Sequence, residues 1–194
     1  DDEKYEILPV GITKNGEWLP YRGEYKYIET GEWEEQAKNE FGKSHEHIRK
    51  ALPSVKNFVE EVCGGTVDIV FPLLHGTNGE DGSIQGLLEL AGIPYVGCNI
   101  LSSAVGMDKA VSKVLFEHAG LNQARYIVIK RPEIHNGIDE IHKRVESYIG
   151  YPCFVKPSNA GSSVGVSKVR EPGELAGALE IAARYDRKIL IEEF

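Results

Sequence analysis

Phe154-Val155-Lys156-Pro157-Ser158-Asn159-Ala160-Gly161-Ser162-Ser163-Val164-Gly165-Val166 is the stretch that decides the fold. A lysine closes an apolar strand, small residues form a loop, and a second strand begins. A hairpin of this kind can fold over a triphosphate: its amides and hydroxyls surround the anionic oxygens while Lys156 supplies a point charge. The plainer reading is a flexible hairpin tip with a solvated lysine. The surrounding pattern has to choose between the two.

Outward from this loop, Pro152 to Lys156 and Val164 to Val169 read as its two strands. Glu174 to Tyr185 reads as a helix with Leu175, Leu179 and Ala182 inward, and Lys188 to Phe194 as a further strand. Upstream, Ala124 to Ile129 is a strand, and Ile138, Ile141, Val145 and Tyr148 mark an amphipathic helix. The front of the chain has a different rhythm. Tyr5 to Thr13 reads as a strand running into a turn at Asn15-Gly16, a hairpin signal. Gly31 to Lys43 is polar without a clear period and is expected to be a surface excursion. Ser44 is a candidate N-cap for a helix with Ile48, Leu52, Val55, Val59 and Val62 on one face, which Pro53 kinks or restarts. Val67 to Leu74 has the short apolar look of a buried parallel strand. Ser83 to Leu90 reads as a helix ended by Gly92, and Pro94 to Gly97 as another short strand. Ser102 or Ser103 is expected to cap one helix running through Ala119 to Gly120. Alternating strands and helices imply a wound α/β front domain, with the boundary between the two halves near residues 100–103.

Three more segments carry candidate chemistry. His75-Gly76-Thr77-Asn78-Gly79-Glu80-Asp81-Gly82 joins a strand to a helix. Its glycines allow close backbone approach, and amides at the following helix start favour an anion such as a carboxylate. The bland alternative is an ordinary glycine-rich turn, since this is neither G-x-G-x-x-G nor a P-loop. Met107-Asp108-Lys109 places a lysine near a helix start, and Ile191-Glu192-Glu193-Phe194 delivers carboxylates to a strand end; each is weak alone. His45-Glu46-His47 has i, i+2 spacing, which on a helix points to different faces and does not make a zinc site.

The chain carries 22 basic and 30 acidic side chains among 194 residues, a net charge of −8. That balance speaks against nucleic acid as a partner, though a few placed lysines can still hold a nucleotide. No apolar run reaches the ~20 residues of a membrane helix, and no charged-then-apolar leader opens the chain, so a cytoplasmic protein is expected. Cys63, Cys98 and Cys153 are three widely spaced thiols, expected to be buried and reduced. Met107 is the sole methionine and Phe194 ends an apolar run, so the chain is expected to be an excerpt of a longer protein.

Taken in order, H-G-x-x-G-E-D-G-S-I-Q-G (His75 to Gly86), M-D-K (Met107 to Lys109), V-K-P-x-x-x-G-S-S-V-G-V (Val155 to Val166) and I-L-I-E-E (Ile189 to Glu193) resemble the successive motifs of the D-alanine–D-alanine ligase family. Gly92 to Cys98 matches the family's linking strand. The first motif is specific to that family; the lysine and Gly/Ser loop belong to ATP-grasp enzymes more widely. The resemblance implies an α/β protein with a Rossmann-like N-terminal substrate domain over residues 1–101. A central ATP-grasp domain would follow over 102–190, with 191–194 leading into a C-terminal ATP-grasp domain. It implies ATP and D-alanine as substrates, Mg2+ held by residues outside this chain, a homodimer, and ligation through a D-alanyl phosphate. D-lactate or D-serine as second substrate, and a non-catalytic ATP-binding module, are the alternatives. By resemblance, His75 lies beside the first D-alanine and Glu80 shapes that pocket. Lys109 and Lys156 bind ATP phosphates, Ser162 orders the substrate site, and Ser163 covers the γ-phosphate. Glu192, Glu193 and Phe194 lie at the adenine edge. The segment alone is expected to be inactive.

Overall fold

The computed structural model describes residues 4–41 and 54–194. They fall into two compact units, Asp1–Phe71 with Gly86–Val96, and Pro72–Gln85 with Gly97–Phe194.

In the first unit, strands β1 (Val10–Ile12) and β2 (Trp18–Pro20) form an antiparallel hairpin with Ile12 opposite Trp18. The Thr13 carbonyl accepts from the Gly16 amide at 2.9 Å, and its hydroxyl accepts from the Glu17 amide at 3.1 Å. The turn needs Gly16 at φ 83°, a left-handed position that suits a residue without Cβ. The strand is shorter than expected because its ladder with β2 covers Val10–Ile12, and Tyr5 and Ile7 are exposed. Helix α1 spans Lys26–Thr30 and α2 spans Trp33–Phe41. The second corrects the expectation of a polar excursion over 31–43. Trp33 and Ala37, one helical turn apart, are sufficient to give α2 an inner face. Ala37 is buried with Leu19 and Tyr21, and Trp33 packs against them. The Trp33 ring lies so close to Gly11 that a Cβ there would meet it at 2.0 Å.

Helix α3 (Val55–Cys63) starts from Ser54, whose hydroxyl accepts from the Asn57 amide at 3.2 Å, and buries Val59, Val62 and Cys63. Ser44, His45, His47, Ile48, Leu52 and Pro53 lie outside the described residues. The two short strands expected at 67–74 and 94–97 reduce to one parallel bridge, Val70 with Tyr95. Ile69, Phe71 and Leu73 are exposed, so this apolar run is not the buried strand its composition implied. Burial of a parallel strand requires cover on both faces, and no described element supplies it for these side chains. Helix α4 (Ser83–Ala91) ends at Gly92, φ 66°, as expected.

In the second unit, α5 (Ile100–Met107) and α6 (Lys109–His118) replace the single helix expected over 102–119. Asn99, not Ser102 or Ser103, caps the first, and Asp108 breaks the pair. Asp108 takes an extended backbone and its carboxylate accepts from the Val111 amide at 3.3 Å. A short acceptor side chain that bonds its own downstream backbone favours such a restart over helix continuation.

Strands β3 (Tyr126–Lys130), β4 (Cys153–Pro157), β5 (Ser167–Val169) and β6 (Lys188–Glu193) form an antiparallel sheet in the order β3-β6-β4-β5. Helix α7 (Arg131–Asn136), which the sequence pattern did not announce, follows β3 directly, and α8 (Ile138–Arg144) continues into a π-helical turn over Val145–Ile149. Helix α9 spans Leu175–Ala183. One face of the sheet supplies Ile127, Ile129, Cys153, Val155, Ile189 and Ile191 to a core with Ile141, Val145, Leu175 and Leu179. Burying one such aliphatic side chain stabilises by about 1.5–3 kcal/mol, so this face holds the unit together. The thiols diverge from expectation in one case: Cys63 and Cys153 are buried, whereas Cys98 is exposed in the loop before α5. Burial pushes the Cys153 thiol up to about 11, which leaves it inert at neutral pH.

Candidate functional site

The two-residue period of the sheet separates core from chemistry. Odd-numbered positions of β4 and β6 face the core, so Phe154, Lys156, Lys188, Leu190 and Glu192 share the opposite face. The register sets Phe154 beside Glu192 and Lys156 beside Leu190. The Glu192 carboxylate is paired with Lys156 through Oε2 and with Lys113 of α6 through Oε1. Burial works to raise the Glu192 carboxyl, but the hydrogen bonds from Lys113 and Lys156 outweigh it and hold the group below its ordinary value. Lys113 also donates to the Ala124 carbonyl at 3.2 Å and stands over the Tyr126 ring, 5.0 Å from its centroid.

One helical turn before Lys113, Lys109 faces the same way. Its ammonium donates to the carbonyls of Ser158, at 3.3 Å, and Ala160, at 2.5 Å, in the glycine/serine loop. Burial first, then the charge of Lys156, holds the Lys109 ammonium below its usual value. Two lysines near enough to repel, at the root of a small-residue loop, form a cation pair suited to an anion carrying several charges. Asn159 adds a further tie: its amide and side chain both donate to Asp186, at 2.7 and 2.9 Å.

Beyond that root, Ser162 and Ser163 are exposed, with φ of 49° and 60°. Two successive non-glycine residues in the left-handed region cost on the order of 1–3 kcal/mol each, and such strain clusters at ligand-holding loops. The loop runs beside the histidine-glycine loop: a Cβ on Gly161 would lie 3.7 Å from the Gly76 Cα. There, His75 is open to solvent with Nδ1 3.8 Å from Glu80 Oε1, and Glu80 Oε2 accepts from the Gly76 amide at 2.5 Å. Asp81 accepts from the amides of Asn78 and Ser83, at 2.9 and 3.0 Å. Burial tends to raise its carboxyl, but these hydrogen bonds prevail and lower it. Asn78, at φ 70°, closes the turn.

A strand-borne lysine, a helix-borne lysine, a strained Gly-Ser-Ser loop and a neighbouring His-Gly loop therefore meet within one unit. Residues 1–98 match the family described as D-ala D-ala ligase N-terminus, and residues 115–194 match D-ala D-ala ligase C-terminus. The chain belongs to the D-alanine–D-alanine ligase family. A D-alanine–D-alanine ligase from Ruminiclostridium cellulolyticum is 50% identical over 200 residues, covering 100% of this chain and 53% of the relative. One from Acetivibrio thermocellus is 49% identical over 202 residues, covering 99% and 54%. The chain thus spans about half the length of the curated relatives it matches. Among solved structures, the VanG D-Ala:D-Ser ligase from Enterococcus faecalis matches all of this chain and 54% of its own, with a TM-score of 0.78 and 39% identity. The D-alanine–D-alanine ligase from Coxiella burnetii matches 66% of this chain and 35% of its own, with a TM-score of 0.59 and 35% identity. The fold is the α/β ATP-grasp fold of these ligases.

Within this ligase-family frame, Lys109, Lys156 and Glu192 come together, and His75 with Glu80 lies on the loop beside Gly161. Glu193 does not join them. Strand alternation turns it to the other face, where its carboxylate accepts from the Arg125 amide at 2.8 Å and from the Arg125 guanidinium at 2.6 Å. Those bonds hold it below its usual value. Phe194 is exposed, its ring 5.6 Å from that of Phe154 with the Lys168 ammonium above it at 3.5 Å. The sequence reading missed Lys113, Ser158 and Lys188. The i, i+4 repeat of Lys109 and Lys113 was the available signal for the first. For the other two there was none, because their roles arise from contacts across elements far apart in the chain.

Among the described residues, no three His, Cys, Asp or Glu side chains gather as a metal-holding set. The nearby carboxylates are committed elsewhere: Glu192 to two lysines, Asp186 to Asn159, and Asp108 to Ser158 and Lys188. These residues do not fit a magnesium site. No described helix is long and apolar enough to cross a membrane.

Proposed function

We propose that this chain supplies the ATP- and D-alanine-facing part of an ATP-dependent ligase that forms D-alanyl-D-alanine for peptidoglycan. The observation that carries the reading is the meeting of Lys109 and Lys156 at the root of the Gly-Ser-Ser loop, beside the His75 loop. In the proposed reaction a carboxylate oxygen of the first D-alanine attacks the γ-phosphorus of ATP and ADP leaves. The amine of the second D-alanine then attacks the acyl carbon, the C–N bond forms, and inorganic phosphate departs with its oxygen. Such a transfer depends on positioning and charge neutralisation more than on covalent help.

The roles proposed for the side chains are those the family resemblance implies, and the geometry around Lys109, Lys156 and Glu192 supports them. Lys109 and Lys156 neutralise phosphate oxygens, and Lys156 exchanges Glu192 for phosphate while Lys113 keeps Glu192 compensated. Glu192 then faces the adenine edge, where Phe194, with Phe154, offers an aromatic surface and Glu193 holds the strand end through Arg125. The Ser162 and Ser163 amides and hydroxyls close over the terminal phosphate. His75, with Glu80 bracing its loop through the Gly76 amide, lies beside the first D-alanine. Magnesium would accompany ATP with ligands from outside this chain, and none of these roles is routed through it. A homodimer rests on the family resemblance, and a cytoplasmic location on the composition of the sequence.

D-serine as the second substrate is the alternative reading, supported by the match over the full chain to a D-Ala:D-Ser ligase structure. The test is to supply the full-length protein with ATP, magnesium and D-alanine, with or without D-serine or D-lactate, and to measure phosphate release and the product. D-alanyl-D-alanine as the main product supports the first reading, a mixed D-Ala-D-Ser product supports the alternative, and ATP binding without ligation contradicts both. Ser162→Ala should lower kcat about 10-fold or more while ATP affinity stays within about twofold, the pattern of a lost transition-state contact.

A further inference from the structure

Ser158 is a polar residue whose amide, carbonyl and hydroxyl are all engaged beside the site, and the proposed ligation assigns it no role. It is completely buried. Its amide donates to the Lys188 carbonyl at 2.9 Å, and its carbonyl accepts from the Lys109 amide at 3.1 Å. Its hydroxyl donates to Asp108 Oδ1 at 2.6 Å and accepts from the Ala110 amide at 3.0 Å. Asp108 Oδ2 is in turn paired with the Lys188 ammonium. One buried serine therefore pins the first turn of α6, the end of β4 and the start of β6 to one another.

That arrangement has a geometric consequence for Lys109. The side chain of Lys109 starts from the same helical turn, and its ammonium finds the Ser158 and Ala160 carbonyls. A lysine stem has four rotatable bonds, so the ammonium is placed only as well as its Cα and its acceptors are placed. Ser158 fixes both: the Cα through the Lys109 and Ala110 amides, and one acceptor through its own carbonyl. The Asp108–Lys188 pair keeps the hydroxyl oriented, since a buried hydroxyl between a carboxylate and an amide has one satisfied rotamer.

We propose that Ser158, with Asp108 and Lys188 behind it, is a positioning residue that sets the Lys109 ammonium for phosphate at the root of the glycine/serine loop. This rests on the assignment of Lys109 to phosphate, so the test separates the two. In the full-length protein, ATP binding with magnesium is titrated calorimetrically for Lys109→Ala, Ser158→Ala and the double variant, with KM for D-alanine measured alongside. Ser158→Ala should weaken ATP binding about tenfold, the scale of one hydrogen bond to a charged group, with KM for D-alanine within about twofold. In the Lys109→Ala background the same change should add little, because the residue through which it acts is gone. Should Ser158→Ala not fold, Asp108→Asn serves in its place, as it keeps the acceptor for Ser158 and removes the charge facing Lys188. An equal loss in both backgrounds, or no loss in either, overturns the positioning role while leaving the phosphate assignment standing. Unchanged ATP affinity for Lys109→Ala instead removes the phosphate assignment, and the positioning role with it.

Discussion

Ile189-Leu190-Ile191 and Ile69 to Leu73 are apolar runs of similar composition with opposite fates. The first is fully buried; in the second, Ile69, Phe71 and Leu73 are 53%, 64% and 75% exposed. The difference lies in their partners. Strand β6 is hydrogen-bonded on both edges, to β3 and β4, and the alternate side chains Ile189 and Ile191 enter a core that α8 and α9 complete. The other run has a single bridge, at Val70. An apolar strand is a demand for cover, and only the tertiary structure shows whether the demand is met. The same sheet positions the candidate site: a packed core under one face supports Lys156 and Glu192 on the other.

The largest effect is expected in the buried run. Ile191→Ala should destabilise the second unit by about 2–5 kcal/mol, the range for emptying a packed core site, as read by urea unfolding. A loss below about 1 kcal/mol would mean that the sheet core is looser than its burial indicates.

A second variant tests how the polar face is anchored. Burial works to raise the Asp108 carboxyl, but the bonds from Lys188, Ser158 and the Val111 amide outweigh it and hold the group below its ordinary value. A carboxylate lowered in the native state stabilises fully above its unfolded value, about pH 4, and loses that contribution as pH falls through the lowered native value. Asp108→Asn should therefore be less stable at neutral pH and show a shallower fall in stability below about pH 4. An acid-unfolding profile parallel to that of the parent would remove Asp108 from this role.

The smallest effect lies at the exposed end. Leu73→Ala in the 194-residue chain should change stability by no more than about 0.5 kcal/mol, as expected for a surface position. A cost like that of Ile191→Ala would show that this run is covered after all.

The same contrast marks what the sequence made legible. The strands and helix of the second unit could be read because period-two alternation and a helical stripe are local patterns. Lys156 and the glycine/serine loop could be read because a lysine at a strand end followed by small residues is a local chemical statement. The split of α5 from α6 was hidden, since Asp108 looks like any helix-surface residue until its carboxylate is seen capping Val111. Helix α2 was hidden because, among its described side chains, the inner face rests on Trp33 and Ala37, a short stripe within a charged stretch. Ser158 was hidden most completely: a serine in a serine-rich loop has no signature, and its five hydrogen bonds reach residues 48 to 50 positions upstream and 30 positions downstream. Local order is written locally; the support of the site is written between distant segments.

Whether Lys156 holds phosphate is decided by the ATP affinity of the full-length protein carrying Lys156→Ala, by calorimetric titration with magnesium present. A loss of about 1.5–3 kcal/mol is expected, the contribution of a hydrogen bond to a charged group, with Lys109→Ala falling in the same range. Affinity equal to the parent's for Lys156→Ala would show that the lysine serves Glu192 alone, and the phosphate site would have to be sought elsewhere.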